Sequence, residues 1–328
     1  LLAATVQLTE TGDVGPAVLL ADRLAGYLHL RGDRVPWPTL ARVSLQAASQ
    51  HGGDTQLAMA WIHCGMATRA AADHETSSAH FTRSAEAARR AGWTAGEAVA
   101  LNNLATTLWA GGHTEQAVTR LGEALVLHRR SGRTTGEAVT LANLGSAHIE
   151  LARTGPRALR RTRLDQALGL VNQSWELHRR TGDRRNEAEA MRLLAVVHRE
   201  LGDDPRALDL AHAALRMVTD AGDLLYESSA HSTLATLLAR TGETPRAFAE
   251  HERALTIART ANAPRETAEA LLDLAETHEL VGRRDEAALA AGDARTITAR
   301  AGLVSLLRRA EHLKGRLTAA PEPPLPAA

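Results

Sequence analysis

Three kinds of side chain in this 328-residue sequence have the type and spacing to do chemistry: amides, histidines and arginines. Asn103 and Asn143 stand 40 residues apart, with Asn102 beside the first. An uncharged amide offers both a donor and an acceptor, which suits it to the N–H and C=O of a peptide unit. Arg192, Arg199 and Arg240 would favour a carboxylate, and Trp109 has the bulk of a binding anchor. His148, His198 and His278 recur at like positions, so they are either a metal array or packing histidines. Packed helices lie about 8–10 Å apart and equivalent positions on successive copies at least that far, which favours packing. Catalytic patterns are missing. The next histidine after His74-Glu75 is His80, the wrong spacing for a helical zinc pair. The lone Cys64 leaves no cysteine pair, and no G-x-S-x-G or Gly-rich phosphate loop occurs.

The elements that must position these residues are copies of one unit, seen most clearly from Glu97 to Gly132. Leu101, Leu104, Ala105 and Leu108 make an apolar stripe at helical spacing, and Gly111-Gly112 ends that helix. Ala117, Leu121, Ala124, Leu125 and His128 mark a second stripe, closed by Arg129, Arg130 and Gly132. Units start near 12, 52, 92, 132, 182, 222 and 262, so one copy carries ten extra residues. The first helix of each copy has one small residue, Ala25, Gly65, Ala105, Gly145, Ala195, Ala235 or Ala275, always preceded by an apolar one. The second helix has another, at Ser44, Ser84, Ala124, Ser174, Ala214, Ala254 and Ala294. Small residues let two helices approach closely, and a fixed period of this length predicts an α-solenoid. Cys64 falls at the apolar seam position and reads as core. His128 and His178 read as helix-end caps.

The spacing L-x-x-[LC]-[AG]-x-x-[LH], with small residues 12 and 19 positions beyond the first, resembles the tetratricopeptide repeat. Ala105, Ala117 and Ala124 carry it, as do Ala195, Ala207 and Ala214. The period of 40 is longer than the usual 34, most helix-packing aromatics are replaced, and the first copy is weak at Val35-Pro36-Trp37-Pro38. The resemblance implies an all-α, right-handed solenoid of about seven hairpins over 1–317, closed by a capping helix over 303–317. It also implies that the first helices line a concave groove. The residues two before the small position, Arg23, His63, Asn103, Asn143, Leu193, Thr233 and Asp273, would face that groove, where an Asn grips a peptide backbone. Trp109, Arg199 and Glu279 would lie further along it. Arg192 and Arg240 would line its middle, and Asp273, Glu276 and Glu279 would make its last repeat acidic.

Charge bounds the partners. Lys plus Arg and Asp plus Glu both number 38, giving no bulk attraction to nucleic acid or an acidic membrane. Lysine occurs once, at Lys314. No apolar run is long enough to span a bilayer. With one cysteine and no leader-like start, the expected compartment is the reducing cytoplasm. Thr154 to Arg163 is an Arg-rich insertion, either a solvated helix face or a docking patch. Residues 318–328 are Pro-rich and expected to be disordered. Because position 1 is Leu, the chain reads as an excised piece of a longer protein.

The run L-H-R-R-T-G-D-R-R-N-E-A at Leu177–Ala188 resembles the carboxy-terminal repeat arm of large actinobacterial transcriptional regulators. These are of the Streptomyces antibiotic regulatory protein type, with a signal-transduction ATPase. That resemblance implies a sensor arm without catalysis, cofactor or metal, binding a peptide, protein, small molecule or another domain of its own chain. The alternative is a stand-alone protein-interaction scaffold or self-association module.

Overall fold

The structure, a computed structural model, describes residues 37–318 and, before them, Pro16 and Leu20 alone. The first repeat's first helix and the Pro-rich tail therefore lie outside the described residues, as does Arg23. Fourteen α-helices follow one another in antiparallel pairs, with no strand among the described residues. The chain divides into two compact units, Leu1–Asp183 and Arg184–Ala328.

In the first unit the helices are α1 (Trp37–His51), α2 (Asp54–Ala70), α3 (His74–Arg90), α4 (Thr94–Ala110), α5 (Thr114–Arg130), α6 (Thr134–Thr154) and α7 (Arg160–Thr181). The hairpins are α2–α3, α4–α5 and α6–α7, and α1 packs on α2. In the second unit they are α8 (Arg184–Leu201), α9 (Asp204–Ala221), α10 (Leu224–Arg240), α11 (Thr244–Thr260), α12 (Pro264–Leu280), α13 (Arg284–Arg300) and α14 (Val304–Thr318). Here α8–α9, α10–α11 and α12–α13 pair, and α14 covers the last of them. Leu306, Ala310, Leu313 and Leu317 of α14 are buried against Leu271, Ala275 and Ala291.

The repeated small residues are where the helices touch. Ala105, Ala195, Ala235 and Ala275 are fully buried, as are Ser44, Ser84, Ala124, Ser174, Ala214, Ala254 and Ala294. Four buried serines also satisfy their hydroxyls on neighbouring backbone: Ser77 on Gly65 O, Ser84 on Ala58 O, Ser174 on Ala138 O and Ser228 on Ala254 O. Side-chain size is matched across each pair. Where the partner helix presents Phe81 or Val171, the small residue is glycine. A Cβ on Gly65 would lie 2.7 Å from the Phe81 ring, and one on Gly145 would lie 2.3 Å from Val171 Cγ2. Where it presents Leu121, the small residue is Ala105. Turns close in the left-handed region, with positive φ at Gly92, Gly112, Gly132 and six further glycines. Ala72 occupies the same conformation at φ 60 without the freedom of a glycine.

The insertion matches the helix-face reading in its secondary structure. It is helical for most of its length because Ala, Leu and Arg are good helix formers. Gly155-Pro156 and a short 3₁₀ turn at Arg157–Leu159 make the only break. α6 has 21 residues and α7 has 22, against 17 in α4 and α5. α6 starts in register with α4, so both additions fall at the turn between α6 and α7.

The face of the first helices

Within each unit, successive first helices are stitched by two recurring polar rungs. The first runs from the residue three before the small position to the residue two before it in the next hairpin. Asn143 Nδ2 donates to Asn102 Oδ1 (3.2 Å), Arg192 Nη1 to Thr233 Oγ1 (3.3 Å) and Ser232 Oγ to Asp273 Oδ2 (2.8 Å), each across 41 residues. The second rung spans 37 residues, pairing Arg69 with Thr106 (2.9 Å), Arg199 with Thr236 (2.7 Å) and Arg316 with Glu279 (2.6 Å). First helices packed side by side bring these positions together, so the same register recurs wherever a rung forms.

In the first unit the amide rung has groups left over. Asn102 Oδ1 also accepts from Thr140 Oγ1 at 3.3 Å. The Asn102 amide nitrogen and the Asn143 carbonyl oxygen then have no partner among the described residues. Both side chains are half-buried, neither sealed nor fully in solvent. A donor and an acceptor are thus held side by side on α4 and α6. Asn103 is more committed: its Oδ1 accepts from Arg69 Nη1 (3.1 Å) and its Nδ2 donates to Val99 O (3.0 Å). His63 is buried at 4% exposure, its Nδ1 3.3 Å from Ser44 Oγ, which places it in the helix seam. Trp109 is half-buried against the cluster of Ala105, Leu121, Leu141 and Leu144.

In the second unit the same face is charged and internally matched. Arg192 donates to both oxygens of Glu189, and burial alone would weaken its hold on a proton. Glu189, Glu269 and Asp273 reverse that and push its pKa up. Arg199 is buried and also binds Glu200 (3.0 Å). Thr233 is buried. Arg240 forks onto Asp204 at 2.9 and 3.1 Å. Arg309 of α14 lies 2.8 Å from both Asp273 and Glu276, and Arg316 takes Glu279. The acidic last repeat expected from Asp273, Glu276 and Glu279 is therefore covered by the arginines of α14. The sequence pattern marks this helix as a cap but does not single out Arg309 and Arg316.

Four of the five recurring histidines, His128, His148, His178 and His198, sit inside. His128 and His178 are 2% and 1% exposed, so they pack rather than cap. The His128 ring fills the space a Cβ on Gly136 would need, 2.4 Å from Cε1. His148, buried with Nδ1 3.4 Å from Arg163, and His198, 3.3 Å from Asp203, have lowered pKa values, first through burial and then through the nearby arginines. His278 is half-buried, its ring tilted against that of Phe248 with centroids 4.8 Å apart. No three His, Cys, Asp or Glu side chains among the described residues are placed to hold a metal ion. Cys64 is buried, its thiol pushed up to about 11 by burial. Rung partners Arg69, Thr106, Ser232, Thr236 and Arg316 were missed, as were Thr140 and Arg309 beside them. The offsets of 41 and 37 were present in the sequence, but only a known helix register says which offsets meet.

A tetratricopeptide-repeat family model matches residues 98–131. No curated protein matches. Among solved structures, a Rap protein in complex with Competence and Sporulation Factor is similar. It has a TM-score of 0.58 and 12% identity, over 96% of this chain and 98% of that one. The apo form of RapI gives 0.66 and 12%, over 91% and 99%. A STAND protein with a tetratricopeptide repeat sensor from Pyrococcus horikoshii gives 0.57 and 13%, over 91% of this chain and 45% of that one. At such identities the likeness is one of fold. The family match covers one hairpin, and the chain as a whole shares with these structures an all-α fold of consecutive helical pairs. No helix among the described residues is long and apolar enough to cross a membrane.

Proposed function

We propose that this chain is a non-catalytic sensor arm that binds an extended peptide, or such a segment of a partner protein, along the first helices of the first unit. The observation that carries this is the unspent donor of Asn102 and acceptor of Asn143, fixed beside each other by their own rung. A peptide unit needs one of each, and groups already held in place lose little freedom on binding. The similar Rap structure holds a named factor, and the similar STAND protein uses such repeats as a sensor, which supports the same use here. We read the arm as part of a larger cytoplasmic transcriptional regulator of the actinobacterial kind, controlling its ATPase and DNA-binding modules. Such control needs a ligand with different affinity for two states of the parent.

The test takes peptides selected by display on the full chain and titrates them by calorimetry. Asn102→Ala with Asn143→Ala should weaken binding by about tenfold or more, in line with the loss of a central contact. Unchanged affinity, or a selection that yields no binder, contradicts the proposal.

A further inference from the structure

The turn between α6 and α7 has a composition unlike any other part of the described chain. Its helices run about one turn past those of the α4–α5 hairpin, which at 1.5 Å per residue carries the tip roughly 6 Å further out. Five arginines crowd there, Arg153, Arg157, Arg160, Arg161 and Arg163, and no carboxylate occurs from Leu151 to Leu164. Asp165 is the first, and Arg161 meets it at 3.1 Å with both side chains more than half exposed. So exposed a pair contributes little, and Arg161 can exchange Asp165 for another carboxylate at small cost. In the middle of these charges Leu159 is 46% exposed. Arg157 beside it is exposed too.

We propose that this tip is a second docking surface, separate from the first-helix face, for an acidic protein segment with an apolar residue among its carboxylates. Charge complementarity chooses the acidic partner: exposed Arg157 and weakly paired Arg161 flank Leu159 in a stretch without a carboxylate, and arginine forks match carboxylates in pairs. Leu159 chooses protein over nucleic acid, because a phosphate backbone offers charge without an apolar group to cover it. The tip's reach beyond the neighbouring hairpin leaves it open to a partner while the first-helix face is occupied.

The test uses the full chain and two labelled probes: a synthetic Glu-rich peptide bearing one central Leu, and a short DNA duplex. Arg157→Glu with Arg161→Glu should weaken peptide binding about tenfold or more, and Leu159→Ser about threefold, as expected for charged and apolar parts of one interface. A matched charge reversal on exposed helix ends, Arg130→Glu with Arg180→Glu, should change affinity less than about twofold. Circular dichroism should show all variants folded, since every altered side chain is exposed. Equal losses from both reversals, indifference to Leu159→Ser, or tip-dependent binding of the duplex in preference to the peptide would each overturn the proposal.

Discussion

In the first unit, successive first helices are joined by Asn102 and Asn143. In the second, the same register is filled by Arg192 with Thr233 and Ser232 with Asp273. The amide joint leaves a donor and an acceptor unspent. In the charged joints, every residue expected to meet a ligand already has a partner within the unit. Arg192 has Glu189, Arg199 has Thr236 and Glu200, Arg240 has Asp204, and Asp273 has Ser232 and Arg309. One repeat geometry thus supports two uses of polarity. A half-buried charge must be matched, because an unmatched one costs several kcal/mol. A half-buried amide can keep an open group where water or a ligand reaches it. Polar residues on a repeat face therefore do not all signal binding, and the spare valence separates the two cases.

Cutting a joint should hurt the units differently. The largest effect is expected from Arg309→Leu, which takes the guanidinium away from Asp273 and Glu276. It should destabilise the second unit by about 3 kcal/mol, seen as an earlier denaturant midpoint. A midpoint within error of the parent would show that α14 covers the acidic face without holding it.

Acid should act through the buried histidines. The Nε2 of His251 is 2.8 Å from Thr277 Oγ1, its Nδ1 has no hydrogen-bond partner, and burial brings its pKa down to about 4. Asp273, Glu250 and Glu276 oppose that shift, and His278 adds to it. A histidine depressed in the folded state contributes stability that is complete above its unfolded value near 6.5. That contribution is lost as pH falls from there toward 4, an amount of about 2–3 kcal/mol. His80, His128 and His148, lowered mainly by burial, give the first unit the same sign. His251→Gln should flatten this acid loss in the second unit, as followed by stability measured from pH 7 to 4. An unaltered slope would assign the loss to other groups.

Packing offers a comparison inside the first unit. Gly65→Ala against Phe81 should cost about 1–3 kcal/mol. Adding Phe81→Leu, which recreates the Ala105–Leu121 pair, should recover most of it in a double-mutant cycle; additive losses would refute size matching. The smallest effect is a gain: Ala72→Gly should stabilise by about 0.5–1 kcal/mol, read as a raised Tm, by removing a left-handed alanine.

Much of the fold was legible in the sequence because close approach leaves a periodic trace. Ala105, Ala117 and Ala124 announce their contacts by being small. The insertion was harder to place, since its Arg, Ala and Leu carry helix propensity but no contact pattern. Its helices extend into it until Gly155-Pro156 stops them. His128 looked like a cap from its position alone, yet Gly136, eight residues on in the next helix, makes the pocket that buries it. At the site, Asn143 was visible by its repeat position. Which amide atoms remain unspent depends on pairing across 41 residues, and no single helix pattern shows that.

The central claim is that the amide joint is open to a ligand and the charged joints are closed. Side-chain nitrogen NMR during titration with a display-selected peptide tests it most directly. The account predicts large shifts in the Asn102 and Asn143 amide signals while the Arg192 and Arg309 Nε signals stay in place. Shifted arginine signals with silent asparagines would contradict it.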